Sequence, residues 1–150
     1  MTLKSRKVFL DTSVIFAAVL SPTGGARKLF QLGEAGMLKL VIGPNVLREC
    51  DAVVRRKVSS SLPALAQLLA LGQLETSIAP TKRQIVFARS MVQYKPDALV
   101  LAEALSARPD WFVTHDKEHF LKKRKMSDLT FDIGTPGDLI QALKDDFTLP

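Results

Sequence analysis

Apolar residues in this chain fall into short blocks, and the spacing within each block shifts between the twofold repeat of a strand and the 3.6-residue repeat of a helix. Residues 7–10 (Lys-Val-Phe-Leu) read as a short buried strand that ends at Asp11, and residues 14–20 continue as an apolar helix until Ser21-Pro22-Thr23-Gly24-Gly25 breaks it. A second helix is predicted over residues 26–35, stopped by Gly36, and residues 38–42 have the length and β-branching of another strand. Gly43-Pro44 closes that strand. Asn45 is then placed to cap a helix carrying Val46, Leu47, Cys50, Val53 and Val54 on one face, and residues 59–63 start another that runs to about Leu71.

Farther on, residues 75–79 form a candidate short strand before Pro80, and a helix is predicted over residues 83–92. Pro96 and Asp97 open a helix whose following residues, 98–105, are apolar almost all round, which suits an element wedged between others. Trp111-Phe112-Val113-Thr114 is the clearest later strand and ends at His115-Asp116; after the charged residues 117–125, a last strand near residues 129–133 leads to a terminal helix opened by Pro136. Strands alternating with helices imply an α/β fold, a three-layer αβα arrangement around a parallel sheet of four or five strands whose connections are too long for hairpins.

Composition narrows the class further. A chain of 150 residues with 47% hydrophobic and 24% charged residues suits one ordinary domain, residues 1–150, able to bury a core without disulfides. Cys50 stands alone, which excludes a disulfide framework and any multi-cysteine metal cluster and fits a reducing, cytoplasmic setting. The basic N-terminus is followed at once by Asp11, Thr12 and Ser13, so no signal-peptide core forms, and no apolar run approaches the ~20 residues that span a bilayer. A net charge of +6 and a pI near 9.7 favour an anionic partner such as nucleic acid.

Three acids occupy strand or helix junctions, where ligands of parallel α/β sheets bind. Asp11 and Asp116 each end a strand, Asp97 opens the apolar helix, and Glu49 lies early in the helix after the second strand. Each aspartate also stands where a helix N-cap would stand, but three such acids at one edge point to chemistry. Carboxylates ~5 Å apart repel by roughly 3 kcal/mol per pair at an effective dielectric of 20, so such a cluster calls for cations. Oxygen-only ligands suit Mg²⁺ or Mn²⁺, and metals of that kind serve phosphodiester hydrolysis. The helical wheel alone does not choose between Glu49 and Asp51, which border opposite edges of the apolar face. Thr12, Ser13 and Thr114 are candidate donors to the carboxylates or ordinary capping and strand hydroxyls.

Other motifs are weaker. His115 and His119 are four apart, but the third ligand and the Glu of a His-Glu-x-x-His zinc site are missing. Gly24-Gly25 is not a phosphate-cradling loop, and Asp11-Thr12-Ser13 lacks the second acid of an Asp-x-Asp phosphatase. Arg27, Lys28, Lys95 and the run Lys122-Lys123-Arg124-Lys125 are candidates for a basic rim that would bind phosphates.

Val8-Phe9-Leu10-Asp11-Thr12-Ser13-Val14-Ile15, followed far downstream by Trp111-Phe112-Val113-Thr114-His115-Asp116-Lys117-Glu118 and Gly134-Thr135-Pro136, resembles the PIN domain family, in particular its small prokaryotic VapC-like branch of toxins from toxin–antitoxin pairs. The likeness runs over residues 7–143. It implies a three-layer αβα domain with Mg²⁺- or Mn²⁺-dependent endoribonuclease activity, an antitoxin partner and homodimers. It also implies the acids Asp11, Glu49 (rather than Asp51), Asp97 and Asp116, with Ser13 as the usual neighbouring hydroxyl; Glu118 reads first as a solvent-facing helix residue and second as a supplementary ligand. Two departures stand out: Tyr94-Lys95-Pro96 replaces a loop that is often acidic, and His115 stands where a glycine commonly precedes the fourth acid. A non-cutting module that binds RNA or protein, a nuclease acting on DNA and one of RNA maturation are the competing functions.

Overall fold

The computed structural model describes residues 5–116, 120 and 129–148. Five strands form one sheet: β1 (Arg6–Leu10), β2 (Leu38–Ile42), β3 (Glu75–Thr76), β4 (Trp111–Val113) and β5 (Asp132–Gly134). Among the described residues seven α-helices accompany them: α1 (Thr12–Leu20), α2 (Gly25–Glu34), α3 (Pro44–Lys57), α4 (Leu62–Leu71), α5 (Lys82–Met91), α6 (Lys95–Ala107) and α7 (Pro136–Thr148). The sheet order is β3-β2-β1-β4-β5 and every pairing is parallel, the three-layer αβα arrangement that the alternating pattern implies. Val8, Phe9 and Leu10 are wholly buried because β1 is the central strand, with Val8 beside Leu40 on one flank and Trp111 on the other. The strand order reverses between β1 and β4, and crevices at such switch points, beyond the carboxyl ends of the strands, are where sheets of this kind take ligands.

On one stretch of the sheet the core is aromatic. The Phe112 ring on β4 lies 5.5 Å from Phe9, 5.0 Å from Phe120 and 6.3 Å from Phe131, centroid to centroid. These spacings fall in the range of favourable tilted and offset ring pairs. No helix among the described residues is long and apolar enough to cross a membrane.

Several boundaries differ from the sequence reading, each for a local reason. α3 begins at Pro44 with Gly43 as its N-cap, so Asn45 sits inside the first turn and caps nothing. α6 begins at Lys95 with Tyr94 at the cap position, which leaves Asp97 as an acid of the first turn, favoured there by the helix dipole. α5 starts one residue earlier than the pattern suggests because Thr81 and Gln84 form a reciprocal capping box. The third strand shrinks to two residues, and the last strand lies at residues 132–134 rather than 129–133, in register with Trp111 to Val113.

Candidate active site

Asp11 follows directly from the central strand and becomes the N-cap of α1, accepting the Thr12 backbone N–H at 2.8 Å. Its other carboxylate oxygen accepts the Thr114 hydroxyl at 2.7 Å and the Ser13 hydroxyl at 3.0 Å. The Asp11 backbone N–H donates to the Val113 carbonyl, which ties the end of β1 to the end of β4. From β4 the chain returns to the same point: the Asp116 N–H donates to the Thr114 hydroxyl oxygen at 2.9 Å, and the His115 N–H donates to the Ser13 hydroxyl oxygen at 3.0 Å. Ser13 and Thr114 therefore hold Asp11 and the backbone of Asp116 in one lattice of short hydrogen bonds.

Glu49 joins from α3, accepting the Thr12 hydroxyl at 3.2 Å, while Asp51 turns outward to pair with Arg55 at 2.8 Å. Of the two acids that border the apolar face of α3, Glu49 is the one that meets α1. Beneath this link Cys50 is buried, and its thiol pKa is pushed up to about 12, chiefly by burial, with the charges of Glu49 and Asp11 adding to it. Asp11 itself is 8% exposed. Burial raises its pKa above the ordinary carboxylate value, the bonds from Thr114, Ser13 and Thr12 oppose that rise, and the nearby charge of Asp116 adds to it.

Asp97 is half-buried in the first turn of α6, with one carboxylate oxygen shielded from solvent. Two turns along the same helix stands Glu103, only 2% exposed, whose carboxylate accepts the backbone N–H of Asn45 at 2.8 Å and of Val46 at 3.3 Å. Glu103 thus caps α3 from another helix, where sequence reasoning placed Asn45. A side chain at position 43 would put Cβ 2.4 Å from a Glu103 carboxylate oxygen, so glycine is required there by the close approach of α6. Burial raises the Glu103 pKa, partly offset by the two N–H bonds and by the charge of Arg48. The signal in the sequence was a single acid inside an otherwise apolar helix.

Among the described residues, no three His, Cys, Asp or Glu side chains are gathered closely enough to hold a metal ion. What the structure joins through hydrogen bonds is Asp11, Ser13, Thr114, the Asp116 backbone and, by way of Thr12, Glu49. Of the basic candidates, Arg27 donates its Nε and one terminal N–H to the Ala18 carbonyl, at 2.8 and 2.5 Å. Ala18 lies about 10 Å along α1 from Asp11 at 1.5 Å per residue, so Arg27 is anchored toward the far end of that helix. Lys28 is exposed on α2 and Lys95 is exposed at the first position of α6. His115 is exposed, whereas Lys122, Lys123, Glu118 and His119 lie outside the described residues.

A PIN domain model matches residues 7–118, most of the chain and both strand-end motifs. The chain belongs to the PIN domain family. Its structural likenesses are of the same kind. The DNA-bound VapBC structure from Salmonella typhimurium matches at a TM-score of 0.64 and 14% identity, over 87% of this chain and 98% of that one. VapBC2 from Rickettsia felis, bound to a DNA fragment from its promoter, gives 0.60 and 14%, over 85% and 96%. VapC20 of Mycobacterium tuberculosis, described as a sarcin–ricin loop cleaving toxin, gives 0.53 and 16%, over 74% and 91%. At these identities the likeness is one of fold. No curated protein is significantly similar in sequence.

Proposed function

We propose that this PIN domain is a Mg²⁺- or Mn²⁺-dependent endoribonuclease, the toxin of a toxin–antitoxin pair, with Asp11, Glu49, Asp97 and Asp116 as its acids. The observation that carries the reading is the Thr114 hydroxyl, which donates to the Asp11 carboxylate and accepts the Asp116 N–H. It ties the Asp11 carboxylate to the backbone of Asp116, just beyond the ends of two adjacent strands where the strand order reverses. The fold shared with VapC20, whose stated activity is cleavage of the sarcin–ricin loop, supports RNA as the substrate. The VapBC assemblies with the same fold support a cognate antitoxin as partner. A second copy of the chain and a cytoplasmic location complete this reading.

The donor set suits a hard divalent cation: it is all oxygen, and a neighbouring positive charge would reverse the rise in the Asp11 pKa that burial and Asp116 produce. Asp11, Asp97 and Asp116 would hold the ion by drawing closer together than they stand here. When bound, it supplies polarisation of a phosphoryl oxygen and acidification of a water. The chain's own residues do the rest. Ser13 and Thr114 fix the Asp11 carboxylate in one orientation, and Glu49, positioned by Thr12, takes a proton from the attacking water. Lys28, Lys95, Lys122 and Lys123 hold substrate phosphates.

The test compares wild type with Asp97→Asn and Asp116→Asn, scoring cleavage of a responsive RNA in Mn²⁺ and the rise in melting temperature that Mn²⁺ produces. Both variants should lose tenfold or more in Mn²⁺ affinity, on the order seen when metal-site residues are altered, and cleavage should fall with it. Near-normal cleavage by both, with an unchanged Mn²⁺ shift, would sink the four-carboxylate site. RNA that wild type binds but leaves uncut in Mn²⁺ would instead assign a binding module.

A further inference from the structure

Between Glu75 and Asp97 the chain carries no acidic residue, yet it carries four cations, Lys82, Arg83, Arg89 and Lys95, and all four are exposed. Two of them meet at a cleft of about 400 Å³ lined by Asn45 of α3, Ile85 and Arg89 of α5, and Lys95, Pro96 and Leu99 of α6. The volume falls within the range of small-ligand sites, roughly 300–1,000 Å³. Its chemistry is mixed in a particular way: two cationic side chains from separate helices, an amide with two donors and an acceptor, and apolar lining from Ile85, Pro96 and Leu99. A nucleotide has the matching parts, a phosphate for the cations, an edge for the amide and a flat face for the apolar lining.

The position of the cleft strengthens the match. Asn45 stands four residues before Glu49, so the two share a face of α3, while Lys95 and Leu99, four apart, share a face of α6 that is not the face of Asp97. The cleft therefore opens along the face of α3 that carries Glu49. Around α5 the surface continues through Lys82, Arg83, Val86, Phe87 and Ser90, which line a shallow apolar groove, with Phe87 46% and Tyr94 58% exposed. Exposed aromatics among cations are what single-stranded nucleic acid uses for stacking and phosphate contact.

We propose that the cleft between α3, α5 and α6 is a subsite for a nucleotide of single-stranded RNA flanking the bond that is cut, with Arg89 and Lys95 on its phosphate and Asn45 on its base. This rests on the nuclease reading above and extends it to Arg89 and Asn45. The α5 surface then continues the track for the rest of the strand.

The experiment measures binding of a fluorescein-labelled ten-nucleotide single-stranded RNA of mixed sequence by anisotropy, in EDTA, across a salt series, together with KM and kcat in Mn²⁺. Wild type is compared with Arg89→Gln, Lys95→Gln, Asn45→Ala and, as a control of equal charge change, Lys144→Gln on α7. Each single-stranded phosphate contact contributes about 0.7 to the slope of log K against log salt. Arg89→Gln and Lys95→Gln should each reduce that slope by about 0.7 and raise KM with little change in kcat, while Lys144→Gln leaves all three unchanged. Asn45→Ala should alter the base preference beside the cut without altering the slope. The subsite is overturned if Arg89→Gln and Lys95→Gln behave like Lys144→Gln, or if wild type binds no RNA at low salt. It is also overturned if the variants change only the oligomeric state, which would make this face a protein interface. Failure of the nuclease reading looks different: wild type then binds RNA with the expected slope and its dependence on Arg89 and Lys95, but no variant cuts it.

Discussion

Glu103 illustrates how much one buried side chain can organise. Its carboxylate satisfies two backbone donors at the start of α3, a service that nearby serine, threonine or aspartate usually performs, and it does so from a different helix. Burial holds its pKa above the ordinary 4.5. A carboxyl whose folded-state pKa is raised contributes stability that is fully present below its unfolded value and is lost as pH rises through the folded value. Urea unfolding of metal-free wild type and Glu103→Gln should therefore show wild type losing ground to the variant as pH is taken from 5 to 8. A gap between the two that stays constant over this range would show that Glu103 titrates as it does in the unfolded chain.

At the scale of elements, the contact of α3 with α6 joins the helix of Glu49 to the helix of Asp97, and it is made at Gly43. A methyl group there would meet the Glu103 carboxylate at 2.4 Å and its Cβ at 2.9 Å, so α6 would have to move away from the start of α3. Gly43→Ala should cost about 1–3 kcal/mol, the range for forcing extra atoms into a packed site, and should weaken the Mn²⁺-induced rise in melting temperature as well. Gly137→Ala is the comparison, because a Cβ at that position meets nothing closer than 3.7 Å. Equal melting temperatures for the two variants would mean that the α3–α6 contact yields easily.

For the molecule as a whole, β1 and β4 do two jobs at once: their buried side chains build the core and their carboxyl ends deliver Asp11 and Thr114 to the site. Phe112 is the hinge of that arrangement in the packing sense, fully buried and in ring contact with Phe9, Phe120 and Phe131. Phe112→Ala should destabilise the fold by about 3–5 kcal/mol, a large part of the ~5–15 kcal/mol available to a protein of this kind. Urea denaturation at neutral pH measures it, and a loss below about 1 kcal/mol would mean that the surrounding rings collapse into the space.

The strands near residues 7–10, 38–42 and 111–114, the parallel sheet, and the position of Asp11 directly after the central strand could be read from the chain, because a strand buried on both faces is a continuous apolar run; β4 itself stops at Val113, three residues before Asp116. The PIN signature lies in those same two junctions. Tertiary structure decided what local pattern leaves open. Glu49 and Asp51 sit symmetrically about the apolar face of α3, and only the approach of Thr12 from α1 distinguishes them. Asn45 looks like a cap by residue type, yet the capping oxygen comes from Glu103, 58 residues away in sequence. Arg27 looks free on a basic rim by charge, and the packed chain ties two of its donors to the end of α1. Periodicity records which face of an element is buried, whereas the partner of a polar group is set by which other element arrives beside it, and that is a property of the packed chain.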